Sequence, residues 1–173
     1  DGDLDVAMAT FSGMVLALSD GSGGVEVPRV YNAPGGGQAG TVADLDGDGW
    51  RDLVELVPAN DELRVRRNMR GRVFSMTTRM AVGNGPVSIA SGDFNGDGHA
   101  DLAVANTDSD DVSVLLGDGN GGLRPEMRFA AGRLPAAIDT GDFNGDGRLD
   151  IVVMDRNENV FGTSLGILHE NIE

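Results

Sequence analysis

Three observations predict an all-β fold, a β-propeller of four-stranded antiparallel blades. They are a loop motif repeated at constant spacing, a composition dominated by Asp and Gly, and short apolar runs bounded by turns. The segment Asp44-Leu-Asp-Gly-Asp-Gly-Trp-Arg-Asp52 recurs as Asp93-Phe-Asn-Gly-Asp-Gly-His-Ala-Asp101 and again as Asp142-Phe-Asn-Gly-Asp-Gly-Arg-Leu-Asp150, each copy 49 residues after the last. A period of that size suits one propeller blade, whereas the coils of a β-solenoid are much shorter. Gly supplies 27 of the 173 residues. A helix would have to accept Gly or Asp every few positions.

The elements follow in order. Asp1-Gly-Asp-Leu-Asp5 matches the back half of the loop motif, so a first unit, 1–36, begins inside its loop. Units 37–85 and 86–134 are complete, and 135–173 is partial. Flanking segments keep the same register. Met14-Val-Leu-Ala-Leu-Ser-Asp-Gly-Ser-Gly-Gly24 parallels Val112-Ser-Val-Leu-Leu-Gly-Asp-Gly-Asn-Gly-Gly122, and Ala81-Val-Gly-Asn-Gly-Pro86 parallels Ala130-Ala-Gly-Arg-Leu-Pro135. In the unit 86–134 the predicted strands are Pro86–Phe94, Ala100–Asn106, Asp111–Leu116 and Leu123–Ala130. Runs such as Leu102-Ala-Val-Ala105 and Ile151-Val-Val-Met154 are apolar on both alternating faces, as expected of strands covered from both sides. Across the chain about 14 locally connected strands fit a radial stack of sheets. The partial ring holds about 3.5 blades, fewer than the six to eight or so of a closed one. The remaining blades are expected from a longer chain or from another copy.

Charge and composition exclude several classes. The formal net charge is −15, from 13 Arg against 21 Asp and seven Glu. A nucleic-acid binder needs the opposite sign. With no Cys there is no disulfide scaffold, thiolate zinc site or thiol catalysis. No apolar run has the length of a membrane-inserted span.

The repeated loop explains most of the acidity. In its first copy, Asp44, Asp46, Asp48 and Asp52 place side-chain oxygens at positions one, three, five and nine, and the Trp50 carbonyl supplies position seven. Gly49 permits the sharp turn that gathers them. The second copy offers Asp93, Asn95, Asp97, the His99 carbonyl and Asp101. The third offers Asp142, Asn144, Asp146, the Arg148 carbonyl and Asp150. An all-oxygen, carboxylate-rich set suits a hard divalent cation, and Ca2+ accepts six to eight oxygens in flexible geometry. About three Ca2+ sites are therefore expected; three ions would bring the net charge from −15 to about −9. An EF-hand shares this spacing, but its Glu at position twelve is matched only by Glu55, the others being Val104 and Val153, and strands flank every loop.

These loops, the Leu/Ile-Ala/Val-Val strand that follows them, and Val112-Ser-Val-Leu-Leu-Gly-Asp-Gly119 resemble FG-GAP/VCBS-type repeats, which are similar to the calcium-binding blades of the integrin α-chain propeller. The resemblance covers essentially the whole chain. It implies a seven-bladed propeller with calcium in the hairpin between the first two strands of a blade, in a secreted or cell-surface protein. The family's Phe-Gly…Gly-Ala-Pro pattern is reduced here to Asn32-Ala-Pro-Gly35.

The expected function is an extracellular calcium-binding module for adhesion or protein recognition, with calcium in a structural role. Two alternatives remain open: a lectin-like carbohydrate-binding propeller, and an accessory non-catalytic domain of a secreted polysaccharide- or lipid-cleaving enzyme. No catalytic residue is assigned. His169 beside Glu170 reads as a solvated terminal turn, and no Ser/His/Asp arrangement is suggested by spacing. Arg64, Arg66, Arg67, Arg70 and Arg72 crowd one hairpin, read as an exposed outer strand and turn, with docking of an acidic partner or neighbouring subunit as the other reading. Trp50 and Tyr31 are the aromatic candidates for stacking on a sugar, with core packing an equally good reading of each.

Overall fold

The computed structural model describes residues 5–10, 13–20, 22, 24–32, 37, 39–70, 73–156 and 165–168, the last segment and 76–77 as backbone only. His169, Glu170 and Arg72 lie outside the described residues.

The repeat becomes four antiparallel sheets in chain order. Sheet I is β1 (Val6–Thr10), β2 (Gly13–Ala17) and β3 (Arg29–Asn32). Sheet II is β4 (Gly40–Ala43), β5 (Asp52–Val57), β6 (Glu62–Asn68) and β7 (Phe74–Ala81). Sheet III is β8 (Pro86–Gly92), β9 (Asp101–Asn106), β10 (Asp111–Leu115) and β11 (Met127–Ala130). Sheet IV is β12 (Pro135–Gly141), β13 (Asp150–Asp155) and β14 (Leu165–Leu168). Every hydrogen-bonded neighbour within a sheet is also a neighbour in sequence. The one helical element among the described residues is a 3-10 turn, Pro58–Asn60.

The expected strands of the unit 86–134 correspond closely to β8 through β11. The largest difference is at β11, which starts at Met127 rather than Leu123. Leu123 forms only an isolated bridge to Gly117, and Pro125, with no N–H to donate, interrupts the ladder before Met127.

The sheets stack face to face. Val54, Leu56, Leu63 and Val65 of sheet II meet Leu102, Val104 and Leu115 of sheet III in one buried cluster. Ala103, Ala105, Val112 and Val114, on the opposite face of sheet III, meet Ile138, Ile151 and Val153 of sheet IV. Both faces of β9 are thus covered, and all six of its residues are buried. The opening strands run side by side: Thr41 Oγ1 lies 3.5 Å from Ser91 Oγ, and the Ile138 N–H donates to Ser88 Oγ at 3.3 Å.

Sheets I and II meet through polar groups as well as apolar ones, Met14 of β2 lying against Gly40 of β4. Arg66 Nη2 donates to Glu55 Oε1 at 3.0 Å and to the Asn32 carbonyl at 2.8 Å. Its guanidinium lies 5.7 Å from the Tyr31 ring centre, and Tyr31 packs edge-on against Phe74 at 5.5 Å. Arg64 pairs with Glu62. The reading of the arginine cluster as an exposed strand is corrected here: Arg64 and Arg66 are 3% and 8% exposed. They alternate with Leu63 and Val65 on β6, on the face turned to sheet I, and are received by Glu62 and Glu55 of sheet II itself and by the Asn32 carbonyl of sheet I. Arg70 alone of the described cluster is fully at the surface.

Candidate metal centres in the inter-strand loops

Each repeated loop joins the first two strands of its local unit: β4 to β5, β8 to β9 and β12 to β13. Its geometry is set by two glycines. Gly47, Gly96 and Gly145 at position four have φ of 71°, 78° and 79°, and Gly49, Gly98 and Gly147 at position six have 88°, 86° and 86°. Both positions require the left-handed region that an L side chain adopts only with strain. The turn glycine expected from the motif, Gly49, is therefore joined by a second, Gly47.

The chain then winds around the position-one carboxylate. Asp93 Oδ1 accepts the N–H groups of Gly96 and Asp97 at 2.7 and 3.1 Å, and Oδ2 accepts Gly98 at 2.8 Å. Asp142 does the same with Gly145, Asp146 and Gly147. Asp44 receives Asp48 and Gly49. The position-three side chains, Asp46, Asn95 and Asn144, each accept the N–H of position five. The position-five carboxylates, Asp48, Asp97 and Asp146, each accept the N–H of position seven at 2.9 Å, from Trp50, His99 and Arg148. One hydrogen-bond pattern therefore recurs in all three loops. The Asn95 amide and the His99 N–H hold the Asp97 carboxyl below the usual carboxylate range.

The donor set fits a hard cation. Asp44, Asp46 and Asp48 each offer an oxygen, all within 4.8 Å of one another. Three carboxylates held that close repel unless a cation joins them. The other two loops have Asn at position three, so their acidic groups are fewer while their oxygen count is the same. The Nδ2 of Asn95 and of Asn144 donates to the position-five carboxylate at 3.0 and 3.1 Å. These residues would hold Ca2+ through oxygen alone, and the ion would supply the charge that lets the carboxylates converge.

Position nine has a second role that spacing did not reveal. Asp52, Asp101 and Asp150 are buried at the loop base. Each Oδ2 accepts an N–H from the start of its own loop, from Leu45, Phe94 and Phe143 at 3.2, 2.9 and 2.9 Å. Oδ1 of Asp52 and Asp101 accepts the N–H of Asn68 and Gly117, at the end of the third strand, at 2.8 Å. Asp5 does the same for Ser19 in sheet I. Burial pushes the Asp52 and Asp101 carboxyls up, and those backbone amides oppose it. The position-nine carboxylate therefore fastens three segments of a sheet together; a useful sequence signal is its recurrence as Asp5 in the first unit.

Glu55 is confirmed as irrelevant to the loops, since it is fully buried on the sheet I side of β5 and pairs with Arg66. Trp50 is 40% exposed beside the first loop, whereas Tyr31 is engaged between sheets I and II. A groove of about 380 Å³ separates the first two loops, lined among others by Asp44, Arg51, Asp93, His99 and Gly119.

Fold and loops together define an all-β repeat protein of antiparallel sheets. The chain belongs to the FG-GAP-like repeat family, whose profile matches it three times, over residues 1–55, 44–104 and 93–153. No curated protein sequence matches it. Among solved structures it is similar to a chain of the Tc holotoxin pore of Photorhabdus luminescens, with a TM-score of 0.51 and 17% identity over 87% of this chain. The chain spans only 8% of that toxin chain's length, and the likeness is one of fold.

Proposed function

We propose that this chain is a calcium-stabilised segment of a β-propeller, acting outside the cell as a non-catalytic module for adhesion or protein recognition. The observation that carries the reading is one loop hydrogen-bond pattern formed three times, with oxygen donors at the same positions each time. Side-by-side opening strands and face-to-face sheets support a radial arrangement. FG-GAP-like repeats typically occur in extracellular proteins, where calcium is abundant, and no helix among the described residues is long and apolar enough to cross a membrane.

Calcium is structural in this reading. Binding energy for an ion that only the folded loop can chelate becomes folding energy. The experiment is a thermal melt of the chain in chelator and in millimolar calcium. The midpoint is expected to rise with calcium, and Asp97→Ala or Asp146→Ala should remove part of that rise. An unchanged wild-type midpoint, with no calcium binding by calorimetry, would sink the calcium reading. The groove between the first two loops favours a second reading, carbohydrate recognition between blades; glycan-array binding that Arg51→Ala or His99→Ala abolishes would select it.

A further inference from the structure

The loop 44–52 differs from its counterparts at one ligand position: Asp46 stands where the others have Asn95 and Asn144. At the end of β6, Arg67 stands where the next repeat has Leu116. The two departures meet in space. Arg67 Nη2 lies 3.0 Å from Asp46 Oδ2, and the same nitrogen donates to the carbonyl of Asn120. Asn120 belongs to the turn before β11 in sheet III, and the neighbouring Gly121 N–H donates to the Leu45 carbonyl at 2.9 Å. The guanidinium fills the wedge between that turn and the loop so closely that a Cβ on Gly121 would collide with it. Arg67 Nε is buried without a hydrogen-bond partner, so Nη2 carries both attachments. Loop 93–101 lacks this device, because Leu116 is buried in the apolar cluster between sheets III and IV.

The charges balance in the same way. Loop 44–52 carries four carboxylates and each of the others three. Counting the Asp carboxylates alone, and leaving aside the side chains of Arg51 and Arg148, adding Arg67 brings the first loop from −4 to the −3 of the other two.

We propose that Arg67 sets the calcium dependence of the first loop. It is a fixed cation that offsets the additional carboxylate of Asp46 and fastens the loop to sheet III. This loop therefore keeps its place when calcium is withdrawn, and it binds the ion more weakly than it would without the guanidinium. The ion half of this inference rests on the calcium reading above; the offset and the tether do not. Two physical effects give the sign. Removing a positive charge next to three converging carboxylates increases their repulsion in the ion-free state, and it also removes a repulsion against an incoming divalent cation. Arginine's rigid fork suits holding a carboxylate and a carbonyl at once, which lysine's point charge does less well.

The experiment compares Arg67→Leu, Arg67→Lys, Asp46→Asn and the double variant Asp46→Asn/Arg67→Leu, each melted in chelator and titrated with calcium by calorimetry. In chelator Arg67→Leu is expected to lower Tm by several degrees, and by much less when Asp46 is already Asn, a coupling of the kind a double-mutant cycle isolates. Arg67→Lys should keep most of the chelator Tm. On titration, one of the calcium sites in Arg67→Leu should tighten several-fold while the others stay as in wild type, and the calcium-induced rise in Tm should exceed the wild-type rise. Should Arg67→Leu not fold, the cycle of Asp46→Asn, Arg67→Gln and Asp46→Asn/Arg67→Gln reads the same coupling with a polar, uncharged replacement. Additive effects of Asp46 and Arg67 in chelator overturn the offset. Calcium binding that is indifferent to Arg67 overturns this inference alone, whereas absence of calcium binding in every variant overturns the calcium reading and the ion half with it.

Discussion

The two faces of sheet II are buried by different chemistry: one is wholly apolar, and the other sets charged groups among Leu53 and Val57. Toward sheet III, Val54, Leu56, Leu63 and Val65 meet Leu102, Val104 and Leu115, and none of these is measurably exposed. Toward sheet I, the same sheet presents Glu55, Arg64 and Arg66. The equivalent face of sheet III has Val104, Ser113 and Leu115 at those positions. The backbone repeat therefore fixes where sheets meet and leaves open what they meet with. An apolar contact needs only shape and area. A buried ion pair must be complete, because either partner alone is a stranded charge.

The largest effect should come from separating that pair. Glu55→Val leaves Arg66 buried without its carboxylate and should cost about 3–5 kcal/mol, read by urea unfolding. Glu55→Val/Arg66→Leu, which copies sheet III, should regain most of it; a single variant as stable as wild type would show that the pair contributes nothing. On the apolar side, Leu102→Ala should cost about 2–5 kcal/mol, with no partner substitution able to rescue it by charge.

A smaller contrast lies within one loop, between its base and its rim. Asp101→Ala leaves the Phe94 and Gly117 amides without acceptors and should cost about 2–4 kcal/mol even in chelator, with faster hydrogen exchange at those two amides. Asp97→Ala, at the exposed rim, should scarcely change the chelator melt; if the two variants behaved alike, base and rim would share one role. The smallest effect is expected at Asp118, whose carboxylate is held below its ordinary value of 3.8 by the backbone amides of Asn120 and Gly122. A depressed carboxyl adds stability above the unfolded pKa and loses it as pH falls through the folded value. Asp118→Asn should therefore lower stability slightly at neutral pH, and its difference from wild type should vanish as pH falls through the acid limb.

The loops and strand order were readable from sequence because both are local. A motif recurring every 49 residues and apolar runs between turns locate β8, β9 and β10 to within two residues at each end. What escaped was contact between distant segments. The arginines of β6 looked like surface charge, since their partners Glu55 and Asn32 lie in other strands. The position-nine aspartates read as ligands only, because their grip on Asn68 and Gly117 reaches to the third strand. Arg67 looked ordinary until Asp46 and Asn120 came together around it.

The pairing of every strand with its neighbour in sequence bears on kinetics. Each sheet closes through short hairpins, so its ladder forms without first bringing distant segments together, and such local contacts speed folding. The sheets then interact mainly with the next sheet along, which makes cooperativity a nearest-neighbour property, as in a linear array. Unfolding should therefore run along the chain, with a front that stalls or advances according to the strength of each junction. The charged junction between sheets I and II and the apolar one between II and III are the two places where its speed should change.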